Sequence, residues 1–132
     1  MCIFCKIIAG EITCHKIYED DQVIAFLDIK PVNPGHALVV PKKHYENLEE
    51  ISEADFLALM LIVKKIGGLL KTRLGVEAYN VGINNGAAAG QVVPHVHVHV
   101  IPRHAGDGHV VWPRTAEYKA GEAEAMVKKF MS

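Results

Sequence analysis

Three histidines in alternation, His95-Val96-His97-Val98-His99-Val100, and a Cys2-Ile3-Phe4-Cys5 pair near the other end are the residues of this chain best equipped for chemistry. Strict alternation is a strand pattern, because strand side chains switch faces with period two. It predicts a strand over residues 92–101 with three imidazoles on one face, roughly 6.5–7 Å apart along the strand, and the valines in a core. Near neutral pH imidazole serves as nucleophile, proton carrier or metal ligand. The residues alone leave three uses open. As core groups, the histidines would each need a buried hydrogen-bond partner. As a tri-histidine metal site they would hold zinc and leave a position open. As catalytic groups, one would attack or take a proton while the others held its tautomer and bound an anion.

The loop before the histidines, Asn84-Asn85-Gly86-Ala87-Ala88-Ala89-Gly90-Gln91, is built of small residues that let backbone N–H groups approach an anion. Beside three imidazoles it suggests phosphate. Cys2-x-x-Cys5 suits zinc, and a closed structural site wants two further N or S ligands. Those would come from the eight histidines, and spacing alone does not choose among them.

These residues must be positioned by a modest chain. At 132 residues, half of them hydrophobic and 22% charged, it reads as one domain with an ordinary core. A net charge of −1 argues against a delocalised polyanion surface, so no nucleic-acid partner is expected and phosphate binding must be local. No apolar run approaches the roughly 20 residues that span a bilayer. Residues 1–6 lack the features of a secretory signal, and three cysteines fit a reducing compartment, so the expected location is cytoplasmic.

Strands are expected at Lys16–Tyr18, Val23–Ile29, Ala37–Val40 and Ala78–Ile83, besides the histidine strand. A short helical stretch is expected over Ile3–Ala9. The long helix runs from Ser52 to Leu74, N-capped by Ser52 with Asp55 following and closed by Gly75. Phe56, Leu59, Met60, Val63, Ile66 and Leu70 form its core stripe, and Gly67-Gly68 marks a close approach or bend. The chain turns irregular from about 103, with a second helix over Ala116–Phe130. About five strands and two main helices make an α+β fold.

The histidine block His95-Val96-His97-Val98-His99-Val100-Ile101 resembles the signature of the histidine-triad (HIT) family, His-Φ-His-Φ-His-Φ-Φ with Φ apolar. Matching blocks extend from Ile3 to about Trp112, through Phe26-Leu27-Asp28-Ile29, Pro34 to His44 and Asn84 to Gln91. The likeness is to the Hint-type branch, in its bacterial-style members with paired cysteines. It implies a single HIT domain over 1–132, with an antiparallel sheet joined edge to edge across a homodimer. It implies a hydrolase or transferase attacking the α-phosphorus of purine nucleoside 5′-phosphoramidates. The alternatives are a dinucleoside polyphosphate hydrolase of Fhit type and a non-catalytic nucleotide-binding regulator.

Residue by residue, the resemblance makes His97 the nucleophile, with His99 and His36 orienting it and binding phosphate oxygens. Gly90 and Gln91 line the same pocket, Asp28 takes the ribose hydroxyls, and Ile29 contacts the base. Asn84 matches the Hint pattern where the Fhit branch has glutamine. Val92 departs from it, since that branch carries Ser or Thr there as proton donor to the leaving group. Cys2, Cys5, His44 and His95 become ligands of one structural zinc per subunit, which turns His95 away from the other two histidines. Cys14 is left as a packing residue. Trp112-Pro113 resembles a Trp-Pro whose counterpart in Hint proteins approaches the partner's active site.

Overall fold

The computed structural model describes residues 1–110, 112 and 115–132. Its elements run α1 (Ile3–Ile8), β1 (Lys16–Glu19), β2 (Val23–Leu27), β3 (Ala37–Pro41), α2 (Glu53–Leu74), β4 (Ala78–Gly82), a 3-10 turn at Ala87–Ala89, β5 (Val98–Arg103) and α3 (Glu122–Met131). The five strands form one open sheet in the order β1-β2-β3-β5-β4, each neighbour antiparallel. This is the expected α+β architecture.

β2 and β3 are buried almost throughout because both faces of the sheet are covered. Val23, Ala25, Ala37 and Val39 pack on one face with Leu59, Val63, Ile66 and Leu70 of α2. Ile24, Phe26, Leu38 and Val40 face the other way and pack with Phe4 of α1. Each buried Val, Ile, Leu or Phe among them stabilises the fold by about 1.5–3 kcal/mol relative to exposure. α2 is capped as its sequence implies: the Ser52 hydroxyl accepts from the Asp55 N–H at 3.2 Å, and Gly75 closes it at φ +65°. Of the expected stripe, Phe56 and Met60 are only half-buried. Gly67 does mark a close approach, since a Cβ there would stand 2.3 Å from the Tyr79 ring.

The histidine strand differs from expectation. It begins at Val98 rather than at 92, so only His99 of the three lies on a strand. Pro94 has no N–H for a ladder. The preceding Val93 carbonyl accepts instead from the His95 N–H (2.8 Å) and the Gln91 amide (3.0 Å). The Val96 N–H turns to the Tyr45 carbonyl at 2.8 Å. Val96, Val98 and Val100 nevertheless enter the α2-side core as predicted. β2 stops at Leu27, not Ile29, because the Asp28 N–H closes onto the His36 carbonyl (2.9 Å) while its carboxylate caps the Lys30 N–H (2.9 Å). α3 begins at Glu122 rather than Ala116, after Gly121 at φ +83°, and none of its residues is buried. Among the described residues no helix is long and apolar enough to cross a membrane.

Candidate active site and metal centre

α1 opens with Cys2 as its N-cap, the thiol accepting from the Cys5 N–H, and this turn brings the two cysteines together. Their sulfurs lie 3.3 Å apart. His44 Nδ1 and His95 Nδ1 stand 3.1 Å from each other, and between 3.3 and 3.7 Å from the two sulfurs. Zinc bonds of about 2.3 Å to sulfur and 2.0–2.1 Å to nitrogen, at tetrahedral angles, require edges of roughly 3.3–3.8 Å. The quartet therefore fits a tetrahedral cation with little adjustment. His95 Nε2 meets the Pro41 carbonyl at 2.8 Å. A carbonyl only accepts, so Nε2 carries the proton and the Nδ1 lone pair faces the thiols, the outer bond expected behind a metal-bound imidazole.

His97 and His99 point instead to the sheet face covered by α1. They line a cavity of about 450 Å³ together with Asp28, Ile29, Asn84, Gly90, Val92 and apolar groups of α1 and β2. Phe4 separates the two centres, its ring centroid 5.0 Å from that of His97 and 5.9 Å from that of His95.

The neutral protonation pattern of the cluster follows from its hydrogen bonds. His97 Nδ1 lies 2.7 Å from the His95 carbonyl, so it donates and Nε2 keeps its lone pair. The Val32 N–H donates to His36 Nδ1 at 3.0 Å, which leaves the proton on His36 Nε2. That proton goes to His99 Nδ1 at 2.9 Å, so His99 presents Nε2–H as a donor. Asp28 lies behind the pair, 3.6 Å from His36 Nε2. The arrangement offers a nucleophilic nitrogen beside an N–H donor, against an apolar wall and a carboxylate.

Burial holds His36, His97 and His99 below the ordinary imidazole range. His99 goes furthest, to about 4, with His97 and His36 adding to the desolvation and Asp28 opposing it. The unfolded chain binds a proton on this imidazole below about pH 6.5, whereas the native state does so only near pH 4. Stability should therefore fall as pH drops through that window and level off below it. Thermal melts from pH 7 to 4 should show a shallower fall for His99→Asn; equal slopes would refute the assignment.

The other expected residues divide. Ile29 and Val92 are 82% and 89% exposed and lie at the cavity rim. Gly90, at φ +94°, is where the loop turns tightly beside Asn84. Gln91 is not a lining group: its amide bonds the Glu46 and Val93 carbonyls and the Gly86 N–H, bracing the loop from behind. Trp112 is exposed, and Pro113 lies outside the described residues. Sequence reasoning missed the wall formed by Ile3, Ile7, Ile12, Thr13 and Cys14. The i, i+4 spacing of Ile3 and Ile7 was the available signal. Cys14 packs against the α1-side core, as expected of a packing residue, and also lines the cavity.

The HIT domain description matches residues 9–106. The chain belongs to the HIT family. An uncharacterized HIT-like protein of Methanocaldococcus jannaschii is 50% identical over 129 residues, 98% of each chain. The adenylylsulfatase HINT3 of Arabidopsis thaliana is 45% identical over 80% of this chain, which spans only 54% of that protein. An adenosine 5′-monophosphoramidase of Schizosaccharomyces pombe is 46% identical over 77% of this chain and 74% of its own length. Among solved structures, a HIT-family member from Bacillus subtilis superposes with a TM-score of 0.87 at 40% identity, covering 98% of this chain and 94% of that one. A zinc-bound histidine-triad protein from Mycobacterium smegmatis gives 0.78 at 34% identity, covering 87% and 84%.

Proposed function

We propose that this HIT protein hydrolyses purine nucleoside 5′-phosphoramidates through a nucleotidyl intermediate on His97. The observation that carries the reading is the tautomer chain. The Nδ1–H bond of His97 to the His95 carbonyl leaves Nε2 free to attack, and His99 Nε2–H is available to a phosphoryl oxygen. Nε2 displaces the amine from the α-phosphorus, and water then breaks the new P–N bond, releasing the nucleoside monophosphate. His36 holds His99, Asp28 takes the ribose hydroxyls, Ile29 and the apolar wall receive the base, and Asn84 and Gly90 shape the phosphate side. A relative named as an adenosine 5′-monophosphoramidase supports this substrate class. An adenylyl adduct in samples quenched during turnover of a substrate with a fast leaving group tests it; unmodified protein throughout turnover counts against it.

Val92 favours a second reading. Its side chain stands at the cavity rim and donates no proton, so an amine must draw its proton from water, whereas sulfate departs as an anion unaided. A relative named as an adenylylsulfatase is in keeping with such a substrate. Val92→Ser should raise turnover of an amine-leaving substrate by roughly tenfold or more and leave adenylyl sulfate cleavage unchanged. No gain on the amine substrate would sink the argument. A purely regulatory role would gain ground if the protein bound AMP yet released no product from any of these conjugates.

Cys2, Cys5, His44 and His95 would hold one structural zinc per subunit, a closed set with no position left for substrate. The same reading makes the chain a homodimer of single HIT domains in a reducing compartment such as the cytoplasm. β4 is an edge of the sheet with Val81 exposed, a strand that pairing with a second copy would cover. Light scattering measures the mass directly.

A further inference from the structure

We propose that Asn33 is a positioning residue for the His36–His99 pair, coupling the β2–β3 loop to a clamp at the far end of β5. For its effect on turnover, though not on histidine tautomers, this rests on the reading above.

The loop over 28–36 carries Asp28 at one end and His36 at the other. Its own bonds determine how His36 sits. The Asn33 carbonyl accepts the His36 N–H at 3.0 Å, and the Val32 N–H selects the His36 tautomer at 3.0 Å. Pro31 and Pro34 bring no N–H of their own. Among the described residues, the hydrogen bonds from 29–35 outward to the other elements are the two made by the Asn33 amide. It donates to the Pro102 carbonyl at 2.9 Å and to Asp107 Oδ2 at 3.1 Å.

The anchor it grips is heavily hydrogen-bonded. Asp107, only 8% exposed at its side chain, takes Arg103 in a two-point pair at 2.8 and 3.0 Å. It also accepts the N–H groups of His104 and His109 at 3.1 and 3.0 Å. Arg103 continues to Asn80 Oδ1 in β4 and to the His109 carbonyl. These bonds hold the Asp107 carboxyl far below the usual carboxylate range, the Arg103 pairing foremost. Neither Arg103 nor Asp107 lines the cavity that holds His97 and His99. The clamp therefore acts on the site through Asn33, which ties the loop bearing His36 to the strand bearing His99.

Asn33→Ala and Asn33→Asp test this. Asn33 is half-buried in a loop, so both variants should fold; the second keeps the shape but sets a carboxylate against Asp107. Two-bond 1H–15N spectra of the unliganded protein read imidazole tautomers directly. In both variants His36 and His99 should leave the single Nε2–H pattern while His95 keeps its own. Turnover should fall by roughly 10- to 100-fold, with AMP affinity falling by a smaller factor, since the His99 Nε2–H donor to phosphate is disturbed while the nucleoside wall is untouched. Unshifted His36 and His99 signals in Asn33→Ala would overturn the proposal, as would wild-type behaviour of Asn33→Asp. Should wild type turn over no nucleotide conjugate, the proposed function fails while the spectra still decide the positioning role.

Discussion

His97→Ala should lower turnover of an adenosine phosphoramidate by about 10⁴-fold or more while AMP binding survives. Removing a nucleophile costs on that scale, because the remaining groups bind substrate but form no covalent intermediate. His97 gives its Nδ1 proton to a backbone carbonyl and packs edge-to-face with Phe4, while Ile3, Ile7, Ile12, Thr13 and Cys14 also build the nucleoside wall. Among the described residues His97 Nε2 is the unprotonated imidazole nitrogen of the cluster that accepts no hydrogen bond; His36 Nδ1 and His99 Nδ1 accept from the Val32 N–H and from His36 Nε2–H, and the Nε2 atoms of those two rings carry protons. Neither neighbour can take over attack without reversing the tautomer chain. The variant is checked by turnover, by AMP titration and by the mass of quenched protein, which should carry no adenylyl group. Retention of more than a tenth of wild-type turnover would move the nucleophile elsewhere.

Much of this site was legible in the sequence, and the reasons it stopped being legible are physical. The valine alternation correctly sent Val96, Val98 and Val100 into the α2-side core, which obliges His97 and His99 to face α1. The same alternation overextended the strand, because Pro94 and the Val93 carbonyl divert the chain before any ladder forms. His95 then leaves the common face altogether and joins Cys2, Cys5 and His44, a grouping that period-two reasoning could not yield and the family likeness did. The family likeness makes Gln91 a pocket residue, yet its amide is consumed by three backbone groups, the Gly86 N–H and the Glu46 and Val93 carbonyls. Asn33 and Asp107 lie 74 positions apart and joined no motif; only the folded sheet brings the loop onto the end of β5. Local periodicity reports which face a residue takes. It does not report which distant carbonyl or carboxylate completes it.

Cys5→Ser should abolish stoichiometric zinc and lower the melting temperature by roughly 10 °C or more, with a much smaller loss of turnover. A cation bound by the native quartet and not by the unfolded chain adds its binding free energy to folding. At about 4 °C per kcal/mol for a domain of this size, losing only 3 kcal/mol produces such a shift. The quartet joins α1, the segment after β3 and the turn before β5, three pieces far apart in sequence, so its loss releases all of them. Chelation of wild type should reproduce the shift, whereas chelation of the variant should add little. The effect on chemistry is indirect but has a defined route. The His95 carbonyl that orients His97 belongs to a residue whose ring would sit on the metal, so turnover should fall a few-fold rather than vanish. An unchanged melting temperature with zinc lost would show that the quartet does not stabilise the fold. A loss of turnover as large as that of His97→Ala in still-folded protein would instead make the metal part of the reaction, against a closed four-ligand set that offers substrate no place.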